Sequence, residues 1–361
     1  MTEWRDCKFG EIATFSYGKM PNKKNIVNCG YPIFSGYKIV GYYNSYMYED
    51  PQLIIVARGV GGTGDVKISP PKSYITNLSI IAEVHPGKAN KKFLYYYFKI
   101  NNLRELDSGS AQSQITINDL NNYCITLPPL PEQKAIAEVL SSLDDKIDLL
   151  TRQNKTLEDL AQAYFRKWFI EDASDEWEVG KLGDEFNITM GQSPKGETYN
   201  DLKIGLPFFQ GKAEFGFRFP LEKQYCSEPI KIADKFDTLL SVRAPVGALN
   251  MALYKCCIGR GLAVPIHKKG YKHYTFYKMK SLQELFNTFD DDGTVFGSIS
   301  REKFLSIDNV IPPEKLVCYF DNFAKYFDLK IYENTVQIRT LSKLRDTLLP
   351  KLISGEVRVN I

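Results

Sequence analysis

A set of short stretches gathers the side chains that grip nucleic acids. The first half of the chain carries "YGKMPNKKN", "VARGVGGTGDVK" and "GSAQSQIT"; the second carries "TMGQSPKGE", "QGKAEFGFRF", "SVRAPVG", "GRG" and "GTVFGS". Together they combine Lys and Arg with Asn, Gln, Ser and Thr. Cationic groups and backbone amides hold phosphates, while Arg pairs with guanine and Gln or Asn with adenine at base edges. Taken singly, each residue reads as an ordinary loop residue. The grouping is present in both halves, and such residues can hold phosphates and read base edges.

Motifs for catalysis are missing from the sequence. "RGVGGTGDV" has the glycines of a phosphate loop but not its Lys-Ser/Thr, and reads as a glycine-rich turn after a strand. There is no G-x-S-x-G elbow and no H-E-x-x-H pair. His85, His267 and His273 are too scattered for a metal site, and the seven Cys contain no CxxC. The run Asp290–Asp292 before Gly293 reads as a solvated loop rather than a cation site. The Asn/Asp-Pro-Pro-aromatic signature of amino-methyltransferases is not met by "SPPK", "LPPL" or "IPPE".

The elements that must position these loops come in two copies. "WRDCKFGEIATFSYGKMPNK" from Trp4 lies over "WEVGKLGDEFNITMGQSPKG" from Trp177 at a constant shift of 173. "YPIFSG" resembles "LPFFQG", and "LIIVARGVGG" resembles "TLLSVRAPVG", pairing Arg58 with Arg243. The shift then settles at 184, where "GSAQSQITINDL" meets "GTVFGSISREKF". Each copy opens with a region whose β-branched runs "LIIVA", "SIIAEV" and "GLAVPI" read as strands of a mixed α/β domain. A proline pair, Pro128–Pro129 or Pro312–Pro313, then stops the last strand and precedes a long helix.

Both helices carry a heptad seam. In the first it runs through Ile136, Leu140, Leu143, Ile147, Leu150, Asn154, Leu157, Ala161, Tyr164 and Trp168. In the second it runs through Phe320, Ala324, Phe327, Ile331, Asn334, Ile338, Leu341, Arg345, Leu348 and Leu352. Such a helix is roughly 50 Å long at 1.5 Å per residue. The simplest burial of the two stripes is against each other, antiparallel, with an approximate twofold axis and a domain at either end. The other solution packs each helix on its own domain. Asn154 and Asn334 would cost stability but fix register, and Gly355 would end the second helix. The expected division is therefore 1–131 and 172–312 for the domains, with 132–171 and 313–361 for the helices and tail. The fold class is α+β with internal duplication.

Composition sets outer limits. Hydrophobic residues make up 43% and charged residues 25%, as in a globular protein. Net charge is +3 with a pI near 8.3, below the value of about 9 that marks a strongly basic nucleic-acid-binding domain. The basic groups must therefore be concentrated on one face or supplemented by partners. No apolar run spans a bilayer and no signal peptide is evident, so a reducing cytoplasm is expected.

These residues resemble the specificity subunits of type I restriction-modification systems over essentially the whole chain. The sharpest marks are "ITMGQSPKGETYN", "LPFFQGKAEFG", "SVRAPVG" and "CIGRGLAV", with the proline-led helices "LPPLPEQKAIAEVLSSLDDKID" and "LSKLRDTLLPKLISGEV". The resemblance implies two target recognition domains, each reading half of an asymmetric bipartite site in double-stranded DNA. It implies helices that set the spacer and dock two methyltransferase subunits, and a restriction/translocase subunit joining the complex. S-adenosylmethionine, ATP and Mg would belong to those partners, with no cofactor in this chain. By motif position, Lys19, Arg58, Gln112 and Gln114 would contact DNA in the first half. Gln192, Lys195, Lys212, Arg243 and Arg260 would do so in the second, Arg243 and Arg260 being alternatively loop-holding residues. The first half departs from the pattern, with "VARGVGG" in place of "SVRAPVG" and no counterpart of "CIGRG".

Two other classes compete. One is a recognition module of another nuclease–methyltransferase, which a metal-dependent cleavage assay on the isolated chain would test. The other is a coiled-coil scaffold whose domains bind proteins. A scaffold would lack the steep salt dependence that phosphate contacts impose.

Overall fold

The proline pairs act as the sequence predicts. In a computed structural model, which describes residues 4–59, 62–107, 114–289 and 297–359, the strand Cys124–Leu127 ends at Pro128–Pro129 and the helix Leu130–Arg166 follows. The strand Asp308–Ile311 likewise ends at Pro312–Pro313 before the helix Glu314–Ser354. Proline cannot donate to a strand ladder, yet it costs little beside a helix start, where the N–H groups have no partner anyway. The first long helix continues as a π-helical turn, Lys167–Glu171. The second stops at Gly355, whose φ of +77° is the left-handed conformation that glycine adopts without strain.

The chain forms two units, Met1–Asp148 with Arg339–Ile361, and Leu149–Ile338. Each holds the sheets of one repeat and one part of each long helix. In the first, an antiparallel sheet has the order Ala13–Tyr17, Ser79–Val84, Leu53–Val56, Val66–Ile68. A second sheet runs Ile26–Val27, Lys38–Tyr43, Tyr31–Ser35, Tyr74–Ile75, its last pair parallel. The second unit repeats the first order as Phe186–Met190, Leu262–His267, Thr238–Ser241, Leu249–Met251. Its other sheet runs Tyr199–Asn200, Tyr225–Cys226, Leu206–Phe209, Cys256–Ile258, and adds Ile232–Ala233 at the edge. The duplication is therefore present in strand order as well as in sequence, and the fold is α+β.

Within each unit the long helices pack on the domain as well as on each other. Ile136 and Leu140 share a core with Phe93, Leu352 and Ile353 in the first unit. Ala161, Phe165, Phe320 and Ile331 share one with Leu240 and Tyr274 in the second. There Asn154 meets Asn334 while Phe165 meets Phe320, so the helix segments run antiparallel. Of the seam residues, Ile136, Leu140, Leu150, Asn154, Phe320, Ile331 and Asn334 are buried. Leu143, Ile147, Leu157, Phe327, Ile338, Leu341 and Leu348 are half-buried. The stripe drifts toward its end: Tyr164 is 42% exposed while its neighbour Phe165 is 4% exposed. A straight helix of 3.6 residues per turn slips against a 3.5-residue repeat in this way.

Candidate nucleic-acid interface

In the first unit, backbone bonds gather three of the predicted residues. Gly18 donates to Ser79 O at 3.0 Å and Lys19 to Ile75 O at 2.9 Å. A Cβ at Gly18 would fall 2.1 Å from Thr76 O, so glycine is what lets the chain pass there. Arg58 bridges to Gln114, flanked by Ile115 N–H to Ala57 O at 3.0 Å, and Ala57 N–H reaches Leu78 O at 2.9 Å. Lys19 and Arg58 are exposed and Gln114 is half-buried, its N–H held by Asp107 Oδ1 at 2.9 Å. Gln112 lies outside the described residues.

The second unit builds the same cluster with more crossings. Gly191 donates to Leu262 O at 2.9 Å and Gln192 to Ile258 O at 3.1 Å. The Arg260 N–H reaches Ser193 Oγ at 3.3 Å, and Gly261 donates to Gln210 O at 3.1 Å, two residues before Lys212. Arg243 bridges to Ser298 as Arg58 does to Gln114, beside a cis Ala244–Pro245 peptide. Gln192, Lys195, Lys212, Arg243 and Arg260 are all exposed. Lys195 stands 3.8 Å from Glu197, which competes for it. Backbone atoms hold these loops together. The guanidinium groups of Arg58, Arg243 and Arg260 have no hydrogen bond or ion pair to any described residue, which leaves them available to a ligand. Asp290–Asp292 lies outside the described residues.

Arg218, inside the quoted stretch "QGKAEFGFRF", differs from the exposed Lys212 of the same stretch: it is 1% exposed. Its Nη1 donates to Asp328 Oδ1 at 2.7 Å, Nη2 donates to the Tyr277 hydroxyl at 3.2 Å, and Glu158 Oε2 lies 3.8 Å away. The guanidinium carbon sits 4.0 Å over the Phe276 ring. Asp328 accepts further from Tyr277 at 3.0 Å and sits 2.8 Å from His273 Nδ1. Burial first, then Asp328, pushes the Tyr277 hydroxyl well above its ordinary pKa, which keeps it a proton donor. Glu158 also pairs with Lys280. Sequence reasoning missed this network, although the alignment carried a signal. At the shift of 184, Asp144 and Asp328 fall on each other, each directly after a seam residue, Leu143 or Phe327.

Comparison with known proteins agrees with this architecture. Residues 1–159 match the type I restriction modification DNA specificity domain. The type I restriction enzyme MjaX specificity subunit of Methanocaldococcus jannaschii is 34% identical over 287 residues, covering 74% of this chain and 67% of that one. The MjaIX specificity subunit of the same organism is 29% identical over 310 residues, covering 74% and 69%. In fold, the S subunit of a type I restriction-modification system from M. genitalium superposes with a TM-score of 0.75 at 22% identity, covering 97% of this chain and 96% of that one. A duplicated α+β chain with two loop clusters and this kinship belongs to the family of type I restriction-modification specificity subunits, which confer DNA specificity and are not themselves catalytic.

Proposed function

We propose that each loop cluster reads one half of an asymmetric, bipartite target in double-stranded DNA, and that the long helices set the gap between the halves. One observation carries this reading: the bridge Arg58–Gln114 recurs as Arg243–Ser298, presenting an exposed guanidinium at the same place in both units. Lys19, Arg58 and Gln114 serve the first half-site. Gln192, Lys195, Lys212, Arg243 and Arg260 serve the second. Gln112 is assigned with the first on its motif position. Sequence divergence between the clusters gives different half-sites.

The long helices dock two methyltransferase subunits, and a restriction/translocase subunit completes the assembly. Those partners bring S-adenosylmethionine, ATP and Mg. The net charge of +3 suits a chain that holds DNA tightly only within the complex. Among the described residues no helix is long and apolar enough to cross a membrane, and the complex works on cytoplasmic DNA. The test is a map of N6-methyladenine in cells expressing this chain with a cognate methyltransferase subunit. A two-part motif with a fixed gap, lost without this chain, is expected. A short continuous motif, or methylation that ignores this chain, would sink the reading.

A further inference from the structure

The stretch 211–237 that joins two sheet strands in the second unit is 27 residues long, against 17 for its counterpart 36–52 in the first. Its opening part is tied at both ends. At one end Gln210 O accepts from Gly261, in the loop that carries Arg260. The intervening residues form a short 3₁₀ turn, Lys212–Glu214, closed by Glu214 Oε2 accepting from Gly211 N–H at 3.2 Å and Glu214 O accepting from Leu221 N–H at 2.7 Å. At the other end Gly216 O accepts from Asn250 Nδ2 at 3.0 Å and Arg218 O from Met251 N–H at 2.8 Å. Lys212 thus hangs between the loop cluster and Arg218.

The Arg218 side chain reaches past its own segment to Glu158 on the first long helix and Asp328 on the second. Stability alone does not call for such a pair. Desolvating three charges is costly, Arg218 Nε has no hydrogen-bond partner, and apolar packing of similar volume often serves as well. A guanidinium adds what apolar packing lacks: a planar fork of fixed geometry, here bonded to the Asp328 carboxylate and the Tyr277 hydroxyl beside the charge of Glu158.

We propose that Arg218 is a positioning residue for DNA reading by the second unit. Its fork, bonded to Asp328 and the Tyr277 hydroxyl with the Glu158 charge 3.8 Å away, fixes the segment 211–217 against the helices, and so fixes where Lys212 meets the second half-site. This rests on the DNA-reading function proposed above.

The experiment uses the full chain with its methyltransferase subunits and a panel of duplexes carrying single base changes across the wild-type target. Positions whose discrimination changes in Lys212→Ala define what Lys212 reads. Arg218→Lys keeps the charge and loses the fork. It should lower discrimination at those same positions by about tenfold, the scale of one good base contact, and leave the other half-site unchanged. The double variant Arg218→Lys/Lys212→Ala should lose no more than Lys212→Ala alone, because Arg218 acts through Lys212. Additive losses, equal losses in both half-sites, or unchanged discrimination in Arg218→Lys would each overturn the proposal. Should Arg218→Lys not fold, Glu158→Gln takes its place in the same cycle, with the same outcomes deciding. A wild-type complex that shows no sequence-dependent binding would instead sink the parent reading.

Discussion

Asp144 and Asp328 occupy the same place in the two repeats, and their surroundings differ in an instructive way. Each latches a long helix to its domain through a tyrosine: Tyr96 donates to Asp144 at 2.8 Å and Tyr277 to Asp328 at 3.0 Å. In the first unit the guanidinium partner is Arg345, from the other long helix, at 2.7 Å, with Lys99 at 3.9 Å. In the second it is Arg218, from the long extra stretch of the domain, with His273 on the far oxygen. The Asp144 side chain is 26% exposed and the Asp328 side chain is 0% exposed. The first unit thus keeps its helix latch apart from its proposed reading loops. The second makes the latch and the proposed reading segment out of one piece of chain, so changes near Arg218 are expected to carry a stability cost that changes near the exposed Arg58 do not.

That contrast is broken most sharply at the aspartates. Asp328→Ala strands a fully buried guanidinium and should cost about 3–5 kcal/mol. Asp144→Ala opens a pair that water already reaches and should cost about 1 kcal/mol or less. Hydrogen exchange followed peptide by peptide would place the first loss in Leu149–Ile338 and the second in the other unit. Equal losses would mean that burial does not separate the two latches.

The asparagine pair sharpens the comparison at the next level. Asn334 Nδ2 donates to Asn154 Oδ1 at 3.0 Å, and Asn154 Nδ2 lies 3.4 Å from Thr335 Oγ1. At the shift of 184 their counterparts are Leu150 and Ile338, so apolar residues fit the equivalent positions. Asn334→Leu alone leaves a buried amide short of a partner, at a cost of about 1–3 kcal/mol. Asn154→Leu/Asn334→Leu should recover most of that, in chemical denaturation followed by a probe in the second unit. A double variant worse than the single would show that the amides supply net stability rather than register.

These particulars show what the sequence made legible. The shifts of 173 and 184 anticipated the matching strand orders, because a duplicated pattern of apolar runs needs the same sheets to bury it. Gly18 and Gly191 match at the shift of 173, and in the structure each follows the strand that leads into a loop cluster. Arg218 was not legible. A guanidinium inside "FGFRF" looks like its exposed neighbours, and its burial is decided by carboxylates at Glu158 and Asp328, far along the chain. The heptad reading also hid them, since a strict seam leaves no room for a residue beside it that faces the domain. The helices bury a face wider than a coiled-coil seam, which takes in Glu158 and Asp328 as well as the apolar stripe.

The smallest expected difference concerns acid. Glu185 is 5% exposed, and at the shift of 173 its counterpart is Ile12, 1% exposed and apolar. Burial opposes ionisation of Glu185. The His267 ring 3.5 Å away, the charge of Lys278 and a hydrogen bond from Asn309 at 2.8 Å outweigh it and hold the carboxyl below its ordinary 4.5. A carboxylate whose folded pKa is depressed contributes stability that is complete above its unfolded value and is lost as pH falls through the folded one. The second unit should therefore lose this contribution below about pH 4.5, a loss the first unit cannot show at Ile12. Glu185→Gln should be less stable than the wild type at pH 7 and should flatten the acid limb. Thermal unfolding of both chains between pH 7 and pH 3.5 reads the difference directly. Parallel curves across that range would mean that the hydrogen bonds at Glu185 hold its neutral form as well as its charge, and that the two units meet acid alike.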